Sequence, residues 1–351
     1  VYGAYTEGSG AVTNNKVIIS GSMTEMNRNP VTGAISLGSG TVAYNSVKAT
    51  GGNIYSIFGG GSAEGIAEYN SVTVEGDTII EDRVAGGMAM KGVARHNSVT
   101  ISGTAEIKGE VFGGTVDGGG NPADLIDNSV MISGGSIRGE VYGAYTEGDG
   151  AVTNNSVTIS GSAAEVDREV FGAYTEGSGI VAYNSVTLTD GLINGEVYGG
   201  ASTKNGIAEY NSVTVSGGTI NMLATGGVSI DNVARYNNVT VTGGTIKGSI
   251  YGGMSEINAI ENKVMISGGN IGGDVFGAES KAESSATGNE VIISGTPTFE
   301  SAYGTNIYGA STFDGEITGN KVTISGRPVF KFNDPDKNIK IYGGYVDRDG
   351  N

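Results

Sequence analysis

Apolar and polar residues alternate in a short segment that recurs along the whole chain. The segment has the form Asn-x-Val-x-(Ile/Val)-x-Gly, with apolar residues two positions apart and mostly Ser, Thr or Lys between them. A period of two is typical of a β-strand with one buried face. No window shows the 3.6-residue period of an amphipathic helix. The alternation therefore predicts an all-β chain.

This segment occurs twelve times, at spacings of 25–31 residues. A repeat of this length cannot enclose a core alone, but stacked repeats can. The pattern predicts a single-stranded parallel β-helix, a solenoid of about 12 coils, and right-handed winding is the default for parallel strands. The equivalent asparagines are Asn15, Asn45, Asn70, Asn97, Asn128, Asn155, Asn184, Asn211, Asn237, Asn262, Asn289 and Asn320.

Stacking gives these asparagines a structural role. Identical amides placed one above another can hydrogen-bond along the column. Asparagine also tolerates the backbone conformations of a coil corner, and glycine supplies positive φ at the other corners. We therefore predict a structural asparagine ladder with no binding role.

Two further apolar segments complete each repeat, so three short strands per coil are predicted. One is an aliphatic residue, an aromatic residue and then Gly-Gly or Gly-Ala, as at Val141-Tyr142 and Val170-Phe171. The other is often Gly-x-Ile. The aromatics should form a column on the side of the backbone opposite their aliphatic neighbours. Such a Tyr/Phe stripe could contact glycans or protein partners, or it could serve only to stabilise the stack.

The chain also shows a longer repeat that contains several coils. Residues 1–15 match residues 141–155 at all positions but one. We predict one β-helix domain over 1–351, with five-coil blocks at 1–140 and 141–274 and divergent coils at 275–351. The chain starts within the pattern, which indicates a piece of a longer protein. Insertions are expected in corner loops at 23–30, 115–124, 278–288, 296–306 and 326–339.

Composition excludes several classes of protein. Glycine accounts for 63 of 351 residues, but only 5 prolines are present, so the chain is not collagen. A net charge of −17 disfavours nucleic-acid binding, and no apolar run is long enough for a membrane-spanning helix. The absence of cysteine excludes disulfides, thiolate zinc sites and cysteine nucleophiles, and it favours an exported protein slightly.

Few combinations of residues could form a catalytic site, and we predict that the chain is not an enzyme. His96 is the single histidine and stands where comparable repeats have Tyr, which indicates a stacked ring. Carboxylates near basic residues occur at Glu81-Asp82-Arg83, Asp167-Arg168 and Asp347-Arg348-Asp349. Glycan cleavage requires such groups to converge on one face, whereas these look like surface ion pairs.

No cofactor or metal is predicted, although incidental Ca²⁺ binding by acidic glycine-containing loops stays open. The acidic residues concerned are Glu7, Asp117, Glu147, Asp149, Glu176 and Asp349. Outward threonines of the Asn-x-Val strands form a second possible binding surface. Flat threonine arrays on solenoids can bind ice. Here Ile18, Lys48, Met131, Met265 and Ile292 interrupt the array, which disfavours that function.

Repeats of the form VYGG…NSVTISGG resemble the passenger regions of bacterial autotransporter adhesins and related surface proteins of Gram-negative bacteria. The resemblance covers essentially the whole chain. It implies export, display as a rod on the cell surface, and adhesion to host cells or other bacteria through loops and one face. The receptor, protein or glycan, stays open. Alternatives are a fibre subunit that stacks end to end and a polysaccharide-active β-helix enzyme.

Overall fold

The computed structural model describes residues 1–21, 25–26, 29–118, 124–281, 284–301, 304–331 and 338–347. All regular secondary structure in these ranges is β, and the strands form a parallel β-solenoid of about 12 coils. The predicted fold class is confirmed. The right-handed winding stays a prediction.

Each coil contributes to four sheets rather than the three predicted. In one coil, Ile57–Ser62 lies in the sheet we call the aromatic sheet and Ile66–Glu68 in the short sheet. The chain continues through Ser71–Val74 in the valine sheet and Thr78–Ile80 in the isoleucine sheet. The short sheet was missed because its strands have only two or three residues, too few to show alternation, and no recurring motif marks them as Gly-x-Ile marks the equally short isoleucine strands.

The strand bounds are as follows. The aromatic sheet contains Tyr5–Thr6, Val31–Thr32, Ile35–Ser36, Ile57–Ser62, Val84–Ala89, Val111–Val116, Val141–Thr146, Val170–Phe171, Tyr174–Thr175, Val197–Ser202, Ala224–Ser229, Ile250–Ser255, Val275–Ser280, Thr305–Tyr308, Ser311–Thr312, Ile339–Tyr342 and Tyr345–Val346. The short sheet contains Val12–Thr13, Val42–Ala43, Ile66–Glu68, Val93–Arg95, Leu125–Ile126, Val152–Thr153, Val181–Ala182, Ala208–Glu209, Val233–Arg235, Asn258–Ile260, Ser285–Thr287 and Glu316–Thr318. The valine sheet contains Lys16–Ile19, Ser46–Ala49, Ser71–Val74, Ser98–Ile101, Ser129–Ile132, Ser156–Ile159, Ser185–Leu188, Ser212–Val215, Asn238–Val241, Lys263–Ile266, Glu290–Ile293 and Lys321–Ile324. The isoleucine sheet contains Glu25–Met26, Gly52–Ile54, Thr78–Ile80, Glu106–Ile107, Gly135–Ile137, Ala164–Val166, Leu192–Ile193, Thr219–Ile220, Thr245–Ile246, Asn270–Ile271, Thr298–Glu300 and Val329–Lys331.

The register places equivalent residues of successive coils side by side. Val72 pairs with Val99, and Thr73 pairs with Thr100. The next coil continues the row with Val130 in line with Val99. Because adjacent strands lie about 4.8 Å apart, each repeated side chain recurs at that interval along the solenoid axis.

The interior is one narrow aliphatic core. The inward residues of the valine, isoleucine and aromatic sheets form a continuous cluster that extends from Val17 to Ile307. Interior members such as Ile80 and Val141 are fully buried. A smaller cluster that includes Val116 fills the corner between the aromatic and short sheets. Each coil buries its apolar residues only against its neighbours, so the stack as a whole supplies the core.

The predicted insertion loops are only partly described. Residues 23–24, 27–28, 119–123, 282–283, 302–303 and 332–337 of these loops lie outside the described residues. Some described parts are strands rather than loops, among them Glu25–Met26, Ser285–Thr287, Thr298–Glu300 and Val329–Lys331. These strands continue the short and isoleucine sheets, so the divergent coils keep the same four-sheet path.

Candidate binding face on the aromatic sheet

The twelve asparagines lie in one column, at the start of the valine sheet. The Nδ2 of Asn97 donates to the Oδ1 of Asn128 at 3.0 Å and to the carbonyl oxygen of Ala67 at 2.8 Å. The Oδ1 of Asn97 accepts the Nδ2 of Asn70 at 3.1 Å and its backbone N–H at 3.0 Å. The same pattern recurs along the column, and the ten asparagines from Asn45 to Asn289 are fully buried. Their amides are saturated by the stack and are not available to a ligand.

The left-handed corner conformation belongs to the residue before each asparagine rather than to the asparagine itself. Tyr44 has φ 56° and Tyr236 has φ 57°. The same position has φ between 50° and 60° at Asn14, Tyr44, Tyr69, His96, Asp127, Asn154, Tyr183, Tyr210, Tyr236 and Glu261. The two divergent coils use Gly288 and Gly319 there, with φ 68° and 67°. Half of these twelve positions carry Tyr or Glu, whose side chains rarely adopt this conformation.

Ring stacking accompanies this corner. Tyr69 stacks on Tyr44 with ring centroids 4.9 Å apart, and His96 stacks on Tyr69 at 4.6 Å. The interpretation of His96 as a stacked ring is confirmed. Its Nδ1 lies 3.5 Å from the Oδ2 of Asp127 in the next coil. His96 thus belongs to a surface row of stacked residues.

The aromatics of the aromatic sheet form the predicted outer column. Phe112, Tyr142, Phe171 and Tyr198 stack in succession, with centroids 4.9–5.2 Å apart. Thr225 interrupts the column, which resumes as Tyr251, Phe276, Tyr308 and Tyr342 with centroids 4.7–5.4 Å apart. The interior rings of each run stack on both neighbours and the end rings on one, and these contacts add to the stability of the sheet.

A second, shorter column was not predicted. Tyr145 and Tyr174 lie three residues after Tyr142 and Phe171, and their rings stack with centroids 5.7 Å apart. Each is tilted by more than 60° against the main column. Both rings are half-buried, so parts of them reach solvent. The repeated Tyr-Thr after Gly-Ala was the available signal, but strict alternation places a residue three positions after an outward ring on the opposite face, so the sequence did not predict this second column.

Acidic residues flank both columns. One row precedes the strands at Glu110, Glu140, Glu169 and Glu196, each directly before the aliphatic residue of its coil. The other row follows the strands and contains Asp117, Glu147 and Glu176. We call this surface, from Arg83 to Tyr198, the acidic aromatic face.

Arg83 closes one end of the face. The equivalent residue in the following coils is glutamate, as at Glu110. The coil of Arg83 also has Ala85 at the position where the following coils have an aromatic ring. The Arg83 guanidinium carbon lies 5.9 Å from the centre of the Phe112 ring. Its Nη1 lies 3.3 Å from the Oδ2 of Asp117. The chain thus already contains one guanidinium held by a ring and a carboxylate of this face.

A cleft of about 280 Å³ opens between Arg83 and the tyrosines. Its lining contains Arg83, Glu110, Phe112, Asp117, Tyr142, Tyr145 and Glu147. Tyr145 stacks on Tyr174 on one side, whereas its neighbour in the preceding coil is Thr115, which has no ring. Phe112 of that preceding coil meets Tyr145 at an angle, with ring centroids 5.8 Å apart and ring planes 61° apart. Among the described residues, no ring stacks in parallel on the face of Tyr145 opposite Tyr174.

The electrostatic field around Tyr142 and Tyr145 is negative. Burial raises the pKa of Tyr142, and the carboxylates of Glu140 and Glu110 raise it further. Burial also raises the pKa of Tyr145, with added contributions from Glu176 and Glu147. These tyrosines stay neutral at physiological pH, while the neighbouring acids make the surface attractive to cations.

The carboxylates considered for catalysis lie in ordinary surface contacts. Lys108 of the next coil donates to Glu81 at 2.8 Å and lowers the pKa of that carboxyl group. Asp82 accepts the Ser56 hydroxyl at 2.8 Å, and Asp167 accepts the Nδ2 of Asn194 at 3.1 Å. Arg348 and Asp349 lie outside the described residues.

Some of the acidic residues considered for Ca²⁺ accept local hydrogen bonds. Asp149 accepts the backbone N–H of Ser178 at 2.8 Å and its hydroxyl at 3.0 Å. Glu176 accepts the Tyr145 hydroxyl at 3.1 Å. In the described part of the chain, no group of three or more acidic or histidine side chains is arranged to hold a metal ion.

The outward threonines lie in line over four consecutive coils of the valine sheet. These residues are Thr158, Thr187, Thr214 and Thr240. Met131 precedes them in the row and Met265 follows. The interruptions leave a short array rather than a surface that extends along the solenoid.

No helix in the described ranges has the length and apolar character that a bilayer span requires. Comparison with protein families found no matching family model. Neither a curated protein nor a solved structure matches the chain significantly.

Proposed function

We propose that this chain is a non-enzymatic structural and adhesive rod on a bacterial cell surface, of the autotransporter passenger type. The acidic aromatic face and the corner loops would bind host or bacterial partners. The observation that carries the proposal is the half-buried pair Tyr145 and Tyr174, which lies beside a column of stacked rings on a solenoid whose core is continuous. Phe112 and Phe171 of that column are themselves buried. Such a scaffold holds binding groups at a constant spacing away from the cell.

Solvent-accessible aromatic side chains on a sheet surface support a binding role. Tyr145 and Tyr174 bring large contact area with little loss of side-chain freedom, which is how tyrosine contributes at interfaces. The net charge of −17 keeps an extended rod soluble. The lack of cysteine fits a protein that is exported.

Binding of the labelled chain to epithelial cells and to bacterial cells tests the proposal. We expect wild type to bind and Tyr145→Ser with Tyr174→Ser to lose most of that binding. Tyr44→Ser with Tyr183→Ser is the matched control, because it removes two exposed rings that lie outside both the acidic aromatic face and the corner insertion loops. Absence of wild-type binding, or equal loss in both double variants, contradicts the proposal.

Two outcomes would favour other functions. Cleavage of an acidic glycan that is lost in Asp82→Asn or Asp167→Asn would overturn the non-enzymatic assignment. A fibre subunit is the second candidate, and the ladder supports it. Each interior asparagine accepts from the coil before it and donates to the coil after it, so stacking is directional. Electron microscopy distinguishes isolated rods of one length from continuous filaments.

A further inference from the structure

We propose that the cleft between Arg83 and Tyr145 binds an arginine side chain of a partner protein. This inference rests on the proposed adhesive function and names the chemistry of the partner. A guanidinium would lie against the face of Tyr145 opposite Tyr174, where no described ring stacks in parallel, and pair with the carboxylates of Glu110 and Glu147.

The carboxylates of the cleft are available for such a partner. Within the described residues, neither Glu110 nor Glu147 has an ion pair or a side-chain hydrogen bond. Asp117, the third acid of the cleft, is already paired with Arg83. The cleft therefore holds more negative charge than the chain itself neutralises, and a cationic ligand complements it.

Arg83 shows which cation the face accommodates. Its guanidinium lies over the Phe112 ring and pairs with Asp117, so ring and carboxylate act together on one group. Tyr145 and Glu147 also line the cleft, and the Glu147 carboxylate is near enough to raise the pKa of Tyr145. A planar, weakly hydrated guanidinium stacks on rings and binds carboxylates through two N–H groups, whereas the ammonium of lysine is compact and strongly hydrated. The site should therefore prefer arginine to lysine.

Fluorescence anisotropy with labelled peptides tests this preference on the full chain. The probes are three hexapeptides that alternate glycine with arginine, lysine or glutamate, measured at physiological salt. We expect the arginine peptide to bind about two- to fivefold more tightly than the lysine peptide. The glutamate peptide should not bind.

Two double variants separate the cleft from general charge attraction. Glu110→Gln with Glu147→Gln should weaken binding of the arginine peptide roughly fivefold. Asp77→Asn with Glu165→Gln makes the same change in net charge near the isoleucine sheet and should change affinity less than about twofold. Equal weakening by both pairs would overturn the proposal. Circular dichroism of each variant verifies that the solenoid is intact.

Two single variants test the roles of the ring and of the internal arginine. Tyr145→Leu should remove the preference for arginine over lysine. Arg83→Ala should tighten binding of the arginine peptide about twofold, because Phe112 and Asp117 then become a second place for a guanidinium. Unchanged selectivity in Tyr145→Leu, or weaker binding in Arg83→Ala, would overturn the proposal.

The cell-binding assay keeps this inference separate from the adhesive function. If Tyr145→Ser with Tyr174→Ser loses cell binding but Glu110→Gln with Glu147→Gln does not, the face is adhesive and the arginine site is wrong. If the arginine peptide binds as expected but the chain binds no cell, the adhesive function is wrong and the arginine site stands.

Discussion

Asn97 donates two hydrogen bonds to a single atom of Asn128. The backbone N–H and the Nδ2 of Asn97 lie 3.1 Å and 3.0 Å from the Oδ1 of Asn128. This arrangement ties the backbone of one coil to the side chain of the next. Each step of the ladder therefore sets the register of the valine sheet as well as satisfying a buried amide.

Removal of one amide from the middle of the ladder should destabilise the stack strongly. In Asn128→Ala, the two Asn97 donors and the carbonyl oxygen of Ala94 lose a buried partner. An unsatisfied buried group costs roughly 1–3 kcal/mol, so we expect the free energy of unfolding to fall by about 3 kcal/mol or more. Urea denaturation measures the change.

Asn15→Ala is the control for that variant. Asn15 is part-exposed in the first coil, and its side chain accepts no hydrogen bond from another described residue. Its loss should lower the free energy of unfolding by less than about 1 kcal/mol. Similar losses for Asn15→Ala and Asn128→Ala would show that the ladder adds little beyond its backbone bonds.

Adjacent glycines of the aromatic sheet should differ sharply in their tolerance of alanine. A Cβ on Gly113 would lie 2.5 Å from the carbonyl oxygen of Gly143 and 2.8 Å from the backbone nitrogen of Ser129. A Cβ on Gly114 would lie 2.5 Å from the Cγ of Asn128, but the next coil already has Ala144 at that position.

We therefore expect Gly113→Ala to cost about 3 kcal/mol, because backbone on two sides cannot move aside. Gly114→Ala should cost less than about 1 kcal/mol, since the stack accommodates alanine in the next coil. Thermal unfolding of the two variants gives the comparison. The opposite ranking would contradict the packing of the aromatic sheet against the valine sheet.

Two glycine substitutions at the left-handed corner position distinguish the effect of backbone strain on stability from the effect of ring stacking. Glu261 has φ 50° and is followed in its row by Gly288. Glu261→Gly should raise the free energy of unfolding by about 1 kcal/mol, because glycine adopts this conformation without strain. Tyr210→Gly should lower the free energy of unfolding, since Tyr210 stacks on both Tyr183 and Tyr236. Chemical denaturation checks both signs, and stabilisation by Tyr210→Gly would show that stacking does not offset the strain.

Alkaline pH should weaken the aromatic column. Burial raises the pKa of Tyr308 from its ordinary value of 10.0 to about 12, with further contributions from Asp274 and neighbouring tyrosines. Between these values the unfolded chain loses the Tyr308 proton and the folded chain keeps it, so stability falls as pH rises from 10 to 12. The fall should be smaller in Tyr308→Phe. Equal pH dependence in both proteins, measured by urea denaturation, would contradict the assigned burial.

Local pattern was sufficient to predict the stack. Alternation in Ser-Val-Thr-Ile identified the valine sheet, and the recurring asparagine identified the residues that lie in one column. The ring after each aliphatic residue identified the main aromatic column. Equivalent repeats have Tyr at the position of His96, and this indicated that the His96 ring is stacked. All of these follow from side-chain direction within one strand and from repetition.

The remaining features depend on geometry between coils. Ile66–Glu68 and its equivalents are too short to show a period, so the fourth sheet becomes visible only from its pairing. The position of Arg83 over Phe112 depends on the absence of a ring at Ala85, which is a relation between two coils. The cleft beside Tyr145 likewise depends on Thr115 in the preceding coil.

Pulsed electron-spin distance measurement tests the constant coil spacing most directly. The chain has no cysteine, so Thr73→Cys with Thr214→Cys places spin labels at two chosen outward positions. The two residues lie five coils apart in one row, which predicts a narrow distribution near 24 Å. Thr73→Cys with Thr323→Cys spans nine coils and should give about 43 Å. Broad distributions, or distances that do not increase with the number of coils, would contradict the stacked solenoid on which the proposed binding face depends.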